Sequence, residues 1–81
     1  MSRRPRTAFA LFADWPAASR AHEALKHLGV SDRQAVLERA PDGVRLRVSL
    51  PRIAEEQGIV QSLLSSEARR VEVHDGEGQS V

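Results

Sequence analysis

The stretch Val44-Arg45-Leu46-Arg47-Val48-Ser49-Leu50 alternates apolar and polar residues with a period of two. Successive side chains of a β-strand point to opposite faces of the sheet. The four apolar side chains therefore share one face, and the two arginines and the serine share the other. A register slip of one residue would bury both arginines, so we expect the pairing of this strand to be well determined.

The residues before this stretch predict a β-hairpin. Pro41-Asp42-Gly43 offers a proline with preset φ, a turn-stabilising carboxylate and a glycine that tolerates positive φ. Residues 33–40 lie before this turn and are predicted to form the partner strand.

The first part of the chain predicts a strand followed by a helix. Residues 7–14 are a short apolar run that contains both phenylalanines and ends in a charge. Asp14 can cap a helix whose first turn accommodates Pro16, and Gly29 can end it with positive φ. The helix is predicted over residues 15–28. Its inward stripe is predicted to contain Ala18, Ala21, Ala24, Leu25 and Leu28.

The last part of the chain predicts a second helix and a fourth strand. Pro51 ends the hairpin strand and begins the helix. Gly58 lowers helix stability by about 1 kcal/mol relative to alanine, and it predicts a kink or an unusually close contact. Residues 69–75 alternate again and predict the strand. The helix residues expected to face the sheet are Ile53, Val60, Leu63 and Leu64.

The predicted element order is β-α-β-β-α-β. Two βαβ halves with right-handed crossovers, joined by a hairpin, favour an α+β ferredoxin-like two-layer plait. We expect an antiparallel sheet in the spatial order 4-1-3-2 with both helices on one face. A single domain is predicted over residues 6–75, between a basic tail at residues 1–5 and a polar tail at residues 76–81.

Composition narrows the possible functions. A chain of 81 residues buries only about 60% of its unfolded surface, and the absence of cysteine excludes disulfides and thiolate zinc sites. A net charge of +1 favours neither nucleic acid nor a membrane as partner. The apolar run at residues 8–13 is too short for a signal peptide or a membrane span, which predicts a cytoplasmic protein.

The sequence predicts no metal site, no cofactor and no catalytic residues. Glu23 and His27 stand four residues apart on one helix, but His22 points about 100° away from Glu23 and no third ligand lies nearby. A Gly-x-Ser-x-Gly elbow and a glycine-rich phosphate loop are both absent. We therefore expect a protein that is not an enzyme.

The face of the sheet that the helices leave open is the first candidate site. It is predicted to carry Arg45, Arg47, Glu72 and His74 together with either Phe9 or Phe12. Arginines beside an aromatic ring allow an RNA-binding interpretation, since some plaits stack bases on sheet aromatics. A solvated or dimer-facing surface is the alternative, and this sequence lacks the usual aromatics on its middle strand.

A second candidate site is the turn between the first strand and the first helix. Trp15, between Asp14 and Pro16, is either a ligand clamp or interface anchor, or a hydrophobic cover over the helix start.

Two resemblances bear on function. Residues 12–21 and 25–31, with residues 44–48 and 71–73, resemble the bacterial general-stress domains of the heat-induced 17M type, although the glycine-rich apolar insertion common in that family is missing. Asp14-Trp15-Pro16-Ala17 also resembles the Asp-x-Pro-Gly turn of ACT domains, which are small-molecule sensors. Ala17 replaces the glycine there, and its Cβ would crowd a bound ligand.

These observations predict a non-enzymatic binding or regulatory module that forms a homodimer through its open sheet face or an edge strand. Burial supports this prediction, because a core with helices on one side leaves apolar sheet surface to be covered. A small-molecule sensor with its site at residues 14–17 and a single-stranded RNA-binding module are the alternatives, and a protein partner is also possible.

Overall fold

A computed structural model describes residues 6–50 and 52–75. The predicted tails at residues 1–5 and 76–81, Pro51 and the side chain of Ile53 lie outside the described part. The elements in chain order are β1 (Arg6–Phe12), α1 (Trp15–His27), β2 (Ala35–Ala40), β3 (Gly43–Leu50), α2 (Ile53–Leu64) and β4 (Arg70–Asp75).

The architecture confirms the predicted plait. The four strands lie in the order β2-β3-β1-β4, and each neighbouring pair is antiparallel. Alternate residues of β3 are buried together with one face of β1 and with residues of both helices, so α1 and α2 cover the same side of the sheet. The largest fully buried side chains are Phe12, Leu25, Leu46, Leu50, Leu63 and Val48.

The hairpin between β2 and β3 turns over two residues. Ala40 pairs with Gly43, so Pro41 and Asp42 alone form the turn and Gly43 is the first residue of β3. Gly43 has φ +148°, and a Cβ there would collide with the carbonyl oxygen of Phe12. The positive φ predicted for Gly43 is confirmed. The strand β2 begins at Ala35 and is therefore shorter than the predicted residues 33–40.

Both ends of α1 are capped as predicted. The Asp14 side chain accepts a hydrogen bond of 3.0 Å from the backbone N–H of Ala17. Gly29, at φ +93°, donates to the carbonyl of Lys26 (2.9 Å), and Val30 donates to that of Leu25 (3.1 Å). This pair of bonds is a Schellman motif.

The inward stripe of α1 differs from the prediction at three positions. Leu28 is 55% exposed because the helix ends at His27 and the chain reverses at Gly29, which brings Val30 into the core instead. Ala24 is exposed as well, while Ala17 is buried.

The orientation of α2 was only partly predicted. Leu63 is buried as expected, but Ile59 is also buried, Val60 is partly buried and Leu64 is 60% exposed. The close contact predicted at Gly58 is wrong: the helix continues through this residue, and a Cβ there would meet no atom within 4 Å.

We predict opposite effects for alanine at two glycines. Gly58→Ala is expected to stabilise the protein by up to about 1 kcal/mol, because it lowers the backbone entropy of the unfolded chain and meets no obstacle in the helix. Gly43→Ala is expected to destabilise it, because of the positive φ and the Phe12 carbonyl. Thermal unfolding followed by circular dichroism measures both, and a lower Tm for Gly58→Ala would contradict the open space around that position.

Candidate functional site on the open sheet face

The open face of the sheet is formed by the outward residues of all four strands. β1 contributes an aromatic and an aliphatic side chain, and the other strands contribute mainly charged ones. The residues that point outward are Thr7, Phe9, Leu11, Val36, Glu38, Ala40, Arg45, Arg47, Ser49, Arg70, Glu72 and His74. We call Phe9 and Leu11 the apolar strip.

Phe9 lies at the centre of this face. The Arg45 guanidinium carbon is 5.5 Å from the centroid of its ring, within the range of a cation–π contact. The His74 ring meets it edge-on, with centroids 5.4 Å apart and an interplanar angle of 68°. The predicted aromatic of the open face is therefore Phe9, while Phe12 is fully buried under the helices.

Glu38 holds the two arginines of β3. Its Oε1 accepts a hydrogen bond of 2.7 Å from Arg45 Nη2, and its Oε2 lies 3.6 Å from Arg47 Nε. The hydrogen bond from Arg45 lowers the pKa of Glu38 below its ordinary value. The carboxylate thus neutralises much of the positive charge that the strand presents.

A similar group lies on β4, on the other side of the apolar strip. Glu72 Oε1 is 2.9 Å from His74 Nε2, and Glu72 Oε2 is 3.5 Å from Arg70 Nη1. The open face as a whole carries three arginines and two glutamates, together with the histidine. Its charges are therefore nearly balanced, and they flank apolar side chains on both sides.

A shallow groove of about 370 Å³ follows the apolar strip. The floor is formed by Phe9 and Leu11, and the walls by Arg45 on β3 and by the charged side chains of β4. The Pro41-Asp42 turn closes one end. Such a groove can accept apolar groups from a partner while its rim offers ion pairs.

The five predicted site residues fall into two groups on opposite sides of the sheet. Arg45, Arg47 and His74 share the open face, as predicted. Asp14 caps α1, and Trp15 lies in the first turn of that helix, 42% exposed. The Arg39 guanidinium carbon is 5.5 Å from the Trp15 ring centroid.

Three important residues of the open face were missed in the sequence. Glu38 links both arginines, Leu11 extends the apolar strip, and Arg70 lies directly across from Leu11 on β4. A two-residue turn at Pro41-Asp42 places Glu38 opposite Arg45. The length of this turn is therefore the sequence feature from which the ion pair could have been predicted.

Residues 6–50 and 52–75 contain no group of three His, Cys, Asp or Glu side chains placed to hold a metal ion. His22 instead lies with its Nε2 3.1 Å from the carbonyl oxygen of Ala35, which joins α1 to β2. Within the same residues, neither helix is long and apolar enough to span a membrane.

Searches of protein-family models, curated proteins and solved structures give no match to this chain. The resemblances to general-stress domains and to ACT domains stay predictions.

The Glu38 ion pairs predict a pH dependence of stability. Because the folded protein lowers the pKa of Glu38, the unfolded chain binds more protons at acidic pH. The ion pairs therefore stabilise the fold above the ordinary glutamate pKa, and their contribution is lost as the pH falls through the lower, folded-state pKa.

Glu38→Gln is expected to lower the free energy of unfolding at pH 7 by about 1 kcal/mol or less. The difference from the wild type should shrink as the pH falls from the ordinary glutamate pKa through the lower pKa of Glu38 in the folded protein. Urea unfolding across this range measures it, with Glu23→Gln on the exposed face of α1 as the control. A difference that stays constant with pH would contradict the assignment.

Proposed function

We propose that this protein is a small non-enzymatic binding module that acts by pairing with a second copy of itself through the open sheet face. One observation carries the proposal: the charges on this face are already paired within the chain, and they surround the apolar strip of Phe9 and Leu11. A surface of this kind matches a partner that is equally balanced in charge and apolar at its centre.

The size of the face indicates a weak, reversible dimer. Four strands about 4.8 Å apart and seven residues of about 3.4 Å give roughly 460 Å² for each chain, or about 900 Å² in total. Stable complexes bury at least about 1,200 Å². We therefore expect dissociation in the micromolar range or weaker, as suits a module that assembles when its concentration rises.

The ion pairs make a polyanion a poorer partner for this face. Arg45 and Arg47 share Glu38, so a phosphate backbone would have to displace a carboxylate before it gained either contact. Phe9 also has Arg45 over its ring, where a base would stack. Both observations favour a second copy over single-stranded RNA.

The alternative of a small-molecule sensor at residues 14–17 rests on Trp15, whose exposed ring would report a nearby ligand. Asp14 already accepts the N–H of Ala17 and is engaged in the helix cap. If a sensor is correct, a panel of amino acids and metabolites should shift the Trp15 emission or the Tm. No change across the panel would remove this alternative.

We predict that a charge placed in the apolar strip abolishes self-association. Sedimentation velocity of the wild type should show the weight-average mass rising toward twice that of the monomer at high micromolar concentration, whereas Phe9→Glu should remain monomeric. Leu64→Glu is the matched control, because it adds the same charge to an exposed apolar residue on α2. Circular dichroism verifies that both variants are folded.

A wild type that stays monomeric at these concentrations would overturn the proposal. A single-stranded oligonucleotide tested at low salt separates the RNA alternative: binding that weakens with salt and with Arg45→Ala or Arg47→Ala would replace self-association by RNA binding. We expect no such binding.

A further inference from the structure

The strand register determines which side chains meet when two open faces pack against each other. What we infer from it about the dimer rests on the proposed self-association. Outward residues form rows that run across the sheet in the order β2, β3, β1, β4. The Phe9 row contains Val36, Arg47, Phe9 and Glu72, and the Leu11 row contains Glu38, Arg45, Leu11 and Arg70.

Two identical faces can stack about a two-fold axis that runs either across or along the strands. An axis across the strands places β3 of one copy over β3 of the other. If that axis passes between the two rows, Arg45 and Arg47 lie opposite each other, and if it passes through one row, the arginine of that row lies opposite its own copy. Like charges placed opposite one another disfavour this arrangement.

An axis along the strands, between β3 and β1, gives complementary contacts instead. It places β2 over β4 and β3 over β1, and each row lies over the same row of the second copy. Glu38 then faces Arg70, and Leu11 faces the apolar stem of Arg45. Arg47 faces Phe9, beside the Arg45 that already lies over that ring, and Val36 faces Glu72. Each contact occurs twice, and neither row sets like charges opposite one another.

The side chains at these contacts suit the arrangement. Arg70 is 71% exposed and lies 3.5 Å from Glu72, so it has room to turn toward a second carboxylate. Glu38 Oε2 is 3.6 Å from Arg47, longer than the 2.7 Å from Oε1 to Arg45. An arginine and a glutamate can meet across the spacing of about 10 Å between stacked sheets.

We propose that two copies stack their open faces about a two-fold axis parallel to the strands, with Glu38 of each copy paired with Arg70 of the other. The partner recognised by this surface is therefore a second copy of the same chain in one defined orientation. The two-fold symmetry closes the assembly at a dimer.

Charge reversal tests this orientation. Glu38→Arg and Arg70→Glu each place two like-charged pairs in the homodimer, so each variant alone should dimerise at least roughly tenfold more weakly than the wild type. In an equimolar mixture, the heterodimer pairs Arg with Glu at both positions. We expect native mass spectrometry and sedimentation to show recovery of the dimer, as the heterodimer.

A second mixture distinguishes the two axes. If the axis ran across the strands, between the rows, Glu72 would face Arg70, and mixing Glu72→Arg with Arg70→Glu would restore the dimer. With the axis along the strands, this mixture retains one repulsive pair between Glu38 and the introduced glutamate. Glu72→Arg alone keeps both Glu38–Arg70 pairs of the proposed dimer, so we expect the mixture to contain homodimers of this variant and no excess of the heterodimer.

Neutral variants keep the test valid if Glu38→Arg fails to fold beside Arg45 and Arg47. Glu38→Gln and Arg70→Gln remove the same intermolecular pair, so the double variant should weaken dimerisation little more than either single one. Strictly additive losses would overturn the orientation.

The outcomes separate the orientation from self-association. If the wild type dimerises and Phe9→Glu abolishes the dimer, but the first mixture forms no heterodimer, the orientation is refuted and self-association stands. A monomeric wild type would refute both.

Discussion

The burial of alternate residues of β3 is the constraint on which the rest of the structure depends. Val44, Leu46, Val48 and Leu50 all lie beneath the helices, and each gains on the order of 2 kcal/mol from leaving water. A slip by one residue would expose these four side chains and bury Arg45 and Arg47 in their place. The packing on the helix side thus determines which residues the open face presents, although neither α1 nor α2 touches that face.

The core beneath the helices is thin, and this supports the proposed pairing through the open face. Ala8 and Ala10 on β1 share one buried cluster with small residues of α1, among them Ala18 and Ala21, so the helix can lie close to the sheet. Few large side chains remain to provide hydrophobic stabilisation in a chain of 81 residues. Covering the apolar strip would add to the apolar area that this small core buries.

The predictable features were those in which a local pattern and the tertiary packing agree. The alternation in β3 predicts which of its side chains are buried, and the glycine after α1 predicts a positive φ. Both predictions were confirmed. The orientation of α2 was not predictable, since Ile59, Val60, Leu63 and Leu64 form an apolar surface too wide to indicate one inward direction. Its packing against β3 and β4 selects Ile59 and Leu63, and this leaves Leu64 in solvent.

The residues of the open face also divide into those that a local sequence pattern predicts and those that it does not. Arg45 and Arg47 were placed on the open face by the β3 alternation alone. The sequence of β2 does not alternate, so the position of Glu38 follows from the length of the hairpin turn. Once Pro41 and Asp42 form the whole turn, Glu38 must lie opposite Arg45, and a basic strand becomes one half of a nearly neutral surface.

This change in charge favours the proposed second copy over an anionic partner. Two unpaired arginines beside an aromatic ring would attract an anion. The same arginines, paired with a carboxylate, favour a partner that can bind without breaking their ion pairs. In the dimer that we propose, specificity comes from the order of charges across the rows, and affinity comes from the apolar strip. Trp15 and Arg39 lie on the helix side, so a dimer formed through the open face leaves them accessible.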